Sequence, residues 1–221
     1  MSLQMQFFRL DASIRVEGSV TRSLADEVEH AWSQEHPGAE FVRRDLGALP
    51  LPAVWPDADA SRVTDPELRS EPQQRAAAIA ATLVDELLSA DAYVFAVPMY
   101  NFGVPQQVKH WIDMIISDSR AADVNTPLLP GRPAILVEAR GGSYGPGTQR
   151  DGWNHATPYL RRILGDVWGL DLTVVEAELT AADFNPTMAH LRAVAQRLRV
   201  DAHEAAAAHA LDIARRLRSA A

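Results

Sequence analysis

Short apolar runs alternate with longer amphipathic stretches along this chain. Met5 to Leu10 reads as a first strand, followed by a polar loop from Asp11 to Ser19. Helical spacing begins near Val20, with Leu24, Val28 and Trp32 on one face, and Pro37-Gly38 stops it. Phe41 to Leu46 is a short second strand. A helix from about Gln73 to Ser89 leads into the apolar run Ala92 to Val97, the third strand. The next helix, about Pro105 to Asp118, carries Val108, Trp111, Ile112 and Ile115 on one side. Pro133 to Glu138 is a fourth strand, a helix near Thr157 to Trp168 follows it, and Leu172 to Ala177 is a fifth strand. From Pro186 to about residue 219 the pattern is helical, with an alanine-rich patch from Ala205 to Ala208.

Strands alternating with helices predict an α/β fold of three layers, a parallel sheet covered by helices on both faces. The simplest such topology is doubly wound with strand order 2-1-3-4-5. At 221 residues the chain suits one domain, residues 1–221. Residues 47–72 are proline-rich and weakly periodic, which predicts a long surface excursion. The stretch from about 186 to 219 predicts an extended C-terminal helix.

Composition removes several functions. A net charge of −8 argues against nucleic acid, which needs a basic face. With no cysteine, disulfides, thiolate nucleophiles and thiolate metal sites are excluded. No apolar stretch reaches bilayer length, and Met1 to Leu10 lacks the pattern of a secretion signal, so no membrane partner and a cytoplasmic location are expected. The histidines give no H-E-x-x-H, and no metal is expected.

Three stretches carry ligand chemistry, each directly after a strand. Pro98-Met-Tyr-Asn-Phe-Gly-Val-Pro105 is a rigid, aromatic, amide-bearing turn, placed where open α/β sheets bind ligands. Ser13-Ile-Arg-Val-Glu-Gly-Ser19-Val-Thr21 leads into a helix whose N-terminus attracts an anion. Its hydroxyls complete a phosphate cradle, or Ser19 merely caps the helix. Neither a dinucleotide fingerprint nor a Walker loop is present, so a monophosphate suits it. Arg140-Gly141-Gly142 lets backbone N–H groups approach a flat ring, with Arg140 bracing the loop or supplying positive potential. A phosphate over the first loop and a planar ring between the other two describe flavin mononucleotide (FMN).

On these motifs the chain resembles the FMN-dependent azoreductases, also described as NADH:quinone oxidoreductases of flavodoxin-like fold. Supporting echoes are Arg44-Asp-Leu46 and Tyr159-Leu160 through Leu164-Gly165, and the likeness runs from about Met5 to about Met188. The resemblance implies that Ser13, Ser19, Val20 and Thr21 hold the FMN phosphate. It implies that Met99, Tyr100, Asn101 and Phe102, with Ala139, Arg140, Gly141 and Gly142, flank the ring. It further implies NADH or NADPH as donor, a small aromatic quinone, azo or nitro acceptor, ping-pong hydride transfer through one shared slot, and a homodimer with active sites at the subunit interface. Trp55 is a candidate interface residue, and Asn101 and Tyr144 are the side chains nearest a catalytic role. Two departures stand out. Ala139 replaces a common serine, and Ser119-Arg-Ala-Ala-Asp-Val-Asn125 carries no ring where relatives often have one.

Rival functions are an electron carrier resembling flavodoxin, a flavin-binding protein without turnover, and a serine hydrolase. The last rests on Gly141-Gly-Ser143-Tyr-Gly145, which matches G-x-S-x-G behind a strand, with Asp183 and His190 in triad order. Pro146-Gly147 opposes the helix such an elbow must enter.

Overall fold

The computed structural model describes residues 5–220. Residues 1–4, which open the stretch weighed against a secretion signal, lie outside the described residues, as does Ala221. The strands are β1 (Gln6–Asp11), β2 (Glu40–Asp45), β3 (Ala92–Pro98), β4 (Pro133–Ala139) and β5 (Asp171–Ala177). They form one sheet in the order β2-β1-β3-β4-β5, every pair parallel. Helices cover both faces, giving the three-layer doubly wound fold that the alternation predicts. Every residue of β3 and β4 is buried, which is why both read as unbroken apolar runs instead of alternating.

One face carries α1 (Val20–Glu35) and the last helix, α6 (Arg192–Ala220). Leu24, Val28 and Trp32 of α1 share a buried cluster with Ala202, Ala206, Ala210, Ile213 and Ala214 of α6. The alanines recur every four residues, so the patch that looks compositional is a flat stripe packed against α1. The other face carries α3 (Glu71–Ser89), α4 (Gln106–Ile116) and α5, which runs Thr157–Leu160 and continues through Arg161–Val167 with π-helical turns. Phe8, Phe95, Trp111 and Trp168 meet in the core beneath them.

Two expectations are corrected. The 47–72 excursion is not one long loop, because Trp55–Val63 forms a helix, α2, and Pro66–Leu68 a 3₁₀ turn. With Pro56 in its first turn and only Ala58 and Ser61 buried, α2 shows no apolar stripe for periodicity to detect. The helix α3 begins at Glu71 because Ser70 and Gln73 form a reciprocal capping box that tolerates Pro72. The C-terminal helix begins later than expected. Pro186–Leu191 is a 3₁₀ segment, and Asn185 caps its start.

Candidate functional site

Parallel register brings the three loops to one sheet edge. The amide of Ala12 donates to Ala96 O (3.0 Å), that of Met99 to Ala139 O (3.0 Å), and that of Arg140 to Ala177 O (2.9 Å). The first loop then meets the second, where the amide of Ile14 donates to the Tyr100 hydroxyl at 3.2 Å. Gln107 Nε2, at the start of α4, donates to Ala12 O at 2.7 Å.

In the first loop Ser13, Ser19 and Thr21 are all buried, and the Ser19 and Thr21 hydroxyls lie 3.3 Å apart. Ser19 caps α1 by accepting from the Arg22 amide (3.4 Å). The amides of Val20 and Thr21 meet no protein acceptor among the described residues, which leaves the helix end open to an anion. The Ser19 cap therefore leaves the first amides of α1 unused. Arg22 was not singled out from sequence, yet it organises the loop. Its Nη2 donates to Ser13 O (2.9 Å), its Nε to Arg15 O (3.0 Å), and it forms a two-pronged pair with Asp45 (2.7 and 2.8 Å). That hydrogen bond, followed by burial working the other way, holds the Asp45 carboxyl below the usual carboxylate range. Gly47 completes the clamp. A Cβ there would stand 1.9 Å from Ser13 O, so no other residue fits against the loop.

In the second loop, Tyr100 and Gly103 exchange backbone hydrogen bonds of 3.0 Å around Asn101 and Phe102. Both central residues lie in the left-handed region, with φ 47° for Asn101 and 71° for Phe102. A phenylalanine held there stores strain of about 1–3 kcal/mol, the kind of outlier that gathers at ligand sites. The Asn101 side chain is exposed and has no protein partner among the described residues, and Met99 is buried beneath it in sequence.

In the third loop the carbonyls of Arg140, Gly141 and Gly142 accept from Thr180, Ala181 and Leu179 (3.1–3.2 Å). The amides of Gly141 and Gly142 have no protein acceptor among the described residues. Loop carbonyls tied down with amides left free form a donor pair for a ring carbonyl. A Cβ on Gly142 would stand 2.6 Å from Arg150 Nη1, the end of an exposed side chain that can swing aside. Ala139, the last residue of β4, is buried. The Arg140 guanidinium is also buried and pairs with Glu176 (2.5 Å) and Glu178 (3.8 Å), so it braces the loop. Glu178 further accepts from the Ser143 hydroxyl (2.7 Å) and the Tyr144 amide (3.1 Å). The hydrolase alternative fails here, because Ser143 bonds a carboxylate and no helix follows it before Thr157.

Residues 143–156 supply two rings: Tyr144, already a candidate from sequence, and Trp153, which sequence did not assign to the site. Phe102 meets Trp153 edge-on at 5.4 Å and Tyr144 at 6.3 Å, and Arg150 lies over the Tyr144 ring at 5.9 Å. The amide of His155 donates to Phe102 O at 2.9 Å. Trp153 thus places an aromatic ring beside the turn that residues 119–125 do not provide. Next to this wall is a cleft of about 1110 Å³ between residues 46–53, the 100–105 turn and α4. Among the described residues no histidine or acidic cluster is placed to hold a metal ion, and no helix is long and apolar enough to cross a membrane.

Comparison with known proteins agrees with this fold. A family model described as "Flavodoxin-like fold" matches residues 5–203. An FMN-dependent NADH:quinone oxidoreductase of Streptomyces avermitilis is 37% identical over 198 residues, covering 90% of this chain and 91% of that one. An FMN-dependent NAD(P)H:quinone oxidoreductase of Pseudomonas aeruginosa is 40% identical over 178 residues, covering 76% and 84%. Among solved structures, an azoreductase of Bacillus anthracis superposes with a TM-score of 0.78 at 21% identity, covering 95% of this chain and 100% of that one. The chain belongs to the flavodoxin-like family that includes the FMN-dependent NADH:quinone oxidoreductases.

Proposed function

We propose that the protein is an FMN-dependent NAD(P)H oxidoreductase that reduces quinones and azo compounds. One observation carries this most directly. Free backbone amides from the first and third loops and the Asn101 side-chain amide from the second, with buried Ser13, Ser19 and Thr21, gather at one edge of the sheet. Ser13, Ser19 and the open first turn of α1 suit a phosphate, and no lysine is needed because the helix end supplies positive potential. Met99, the Asn101 amide and Phe102 would bound one side of a flat ring, and the Gly141 and Gly142 amides the other. Bound FMN supplies two-electron redox chemistry that no side chain here can perform. The protein contributes orientation, and its free amides favour negative charge near Gly141 and Gly142. Phe102, Tyr144 and Trp153 offer ring faces and edges to a planar aromatic partner, donor and acceptor in turn.

The same function is expected of a homodimer with its sites at the subunit interface. Ile14 and Leu49, on loops beside the 1110 Å³ cleft, and Trp55, at the start of α2, are all exposed and would be covered by a second copy.

The test is direct. Purified protein titrated with FMN should quench flavin fluorescence at micromolar ligand, and the complex should oxidise NADH rapidly when a soluble naphthoquinone is added. A protein that ignores FMN overturns the proposal. One that binds FMN yet oxidises NADH only slowly is a carrier or a flavin-binding protein.

A further inference from the structure

Among the described residues Glu138 is the one carboxylic acid with no exposed surface. It points to the helical face that carries α5, two residues along the strand from Leu136 of that core. One oxygen accepts from the Thr157 hydroxyl; the other, Oε1, is buried without a partner.

Its surroundings fork towards both walls of the site. On the first branch, Thr157 Oγ1 accepts from Asn154 Nδ2 (2.7 Å), and Asn154 Oδ1 caps α5 by accepting from the amides of Ala156 and Thr157 (3.1 Å each). The residue between them, His155, holds the Phe102 carbonyl. On the second branch, Glu138 lies opposite Glu176 in the β4–β5 register, and Glu176 occupies Arg140. Arg140 and Glu178 then brace Ser143 and Tyr144.

We infer that Glu138 is a positioning residue whose proton couples the Asn101–Phe102 turn to the Arg140–Tyr144 loop. The charged groups facing it are few. Arg140 follows just past the end of its own strand, Glu176 adjoins from β5, Arg161 approaches from α5, and its β3 neighbour is the apolar Val97. Burial, the largest influence, and the Glu176 charge push its carboxyl up to about 7. The neutral acid fits the structure as it stands, since Oε1 has no donor to satisfy a charge. An ionised Glu138 competes with Glu176 for Arg140, and Glu176 is released easily because it already faces solvent. Raising the pH through neutrality therefore loosens the Glu176–Arg140 brace of one wall and strengthens the Thr157 hydrogen bond behind the other, so both walls shift together.

The consequence for flavin rests on the proposed function, but the coupling itself does not, so two measurements separate them. In the full chain without flavin, the backbone ¹H–¹⁵N resonances of His155 and Tyr144 should titrate with a common midpoint near 7, and E138Q should abolish that component. Identical titrations in E138Q, or no movement in either protein, overturn the inference. With FMN added, the dissociation constant should rise roughly tenfold between pH 6 and pH 8.5 in the native protein and less than twofold in E138Q. Equal pH dependence in both again overturns it. T157V, which removes the first branch only, should shift His155 and leave the Tyr144 titration in place. If T157V abolishes both, the fork is wrong. Absence of FMN binding in every variant defeats the proposed function and leaves the resonance test standing.

Discussion

Arg22 donates to the carbonyl of Ser13 at 2.9 Å, a contact that braces the Ser13–Thr21 loop. The guanidinium also spans Arg15 O and both oxygens of Asp45, so with Ser13 O it uses four of its five N–H donors. Replacing Arg22 by alanine should weaken FMN binding roughly tenfold to hundredfold, the range for losing hydrogen bonds to a charged group. Lysine should not rescue it, since an ammonium cannot serve three acceptors in that plane. Fluorescence titration checks both variants, and an affinity within twofold of native for R22A would contradict the assignment.

Gly47 is a sharper steric probe. Its added Cβ would stand 1.9 Å from Ser13 O and 2.7 Å from Ser13 C, both backbone atoms that cannot swing aside. Gly47→Ala should cost at least about 1–3 kcal/mol as overpacking and displace the loop, lowering FMN affinity with it. Gly38→Ala, where a Cβ meets nothing within 4 Å, should stay within about 0.5 kcal/mol. Denaturant midpoints for the pair decide the matter.

The strained turn separates backbone from side chain. Asn101→Gly keeps the left-handed conformation but loses the amide, whereas Asn101→Ala loses the amide and adds strain of roughly 1 kcal/mol. Both should bind FMN more weakly, with the alanine variant also less stable. A glycine variant with native affinity would show that the amide touches no ligand. Phe102→Gly should gain about 1 kcal/mol or more by relieving its φ of 71°, at the expense of the ring that Trp153 and Tyr144 meet. The expected signature is a raised Tm together with a raised KM for quinone.

Glu138 predicts a pH dependence of stability. Its carboxyl is raised from 4.5 to about 7, so between those values the folded chain keeps a proton that the unfolded chain releases. Stability from this group is fully present below about pH 4.5, falls as pH rises, and is lost above about 7, a change of roughly 3 kcal/mol. E138Q should lack that component. Urea unfolding at pH 5.5 and pH 8.5 compares them, and parallel losses in the two proteins would mean that Glu138 does not hold a proton in the folded state.

Legibility varied along the chain. Strands β3 and β4 were visible because burial on both faces writes continuous apolar runs, and β1, β2 and β5 because shorter apolar stretches stand between loop or helical segments. Helix α2 was not, because two small buried residues leave no stripe. The free amides of Gly141 and Gly142 were inferable from a Gly-Gly pair after a strand, and Asn101 from its place between prolines. Arg22, Gly47, Trp153 and His155 were not, since each acts on a partner distant in sequence. Arg22 meets Asp45 and Gly47 meets Ser13 only because β1 and β2 lie side by side.

What the amino acids determine alone is local. They set the period of each segment, the rigidity of a turn between two prolines, and an open helix end after Ser19. What the fold decides is convergence. A parallel sheet in the order β2-β1-β3-β4-β5 aligns the carboxyl ends of strands separated by dozens of residues. It also chooses which buried groups share a cation, and so leaves Glu138 beside an arginine already taken by Glu176. Burial and charge competition are properties of neighbours, and neighbours in a sheet are set by register and topology.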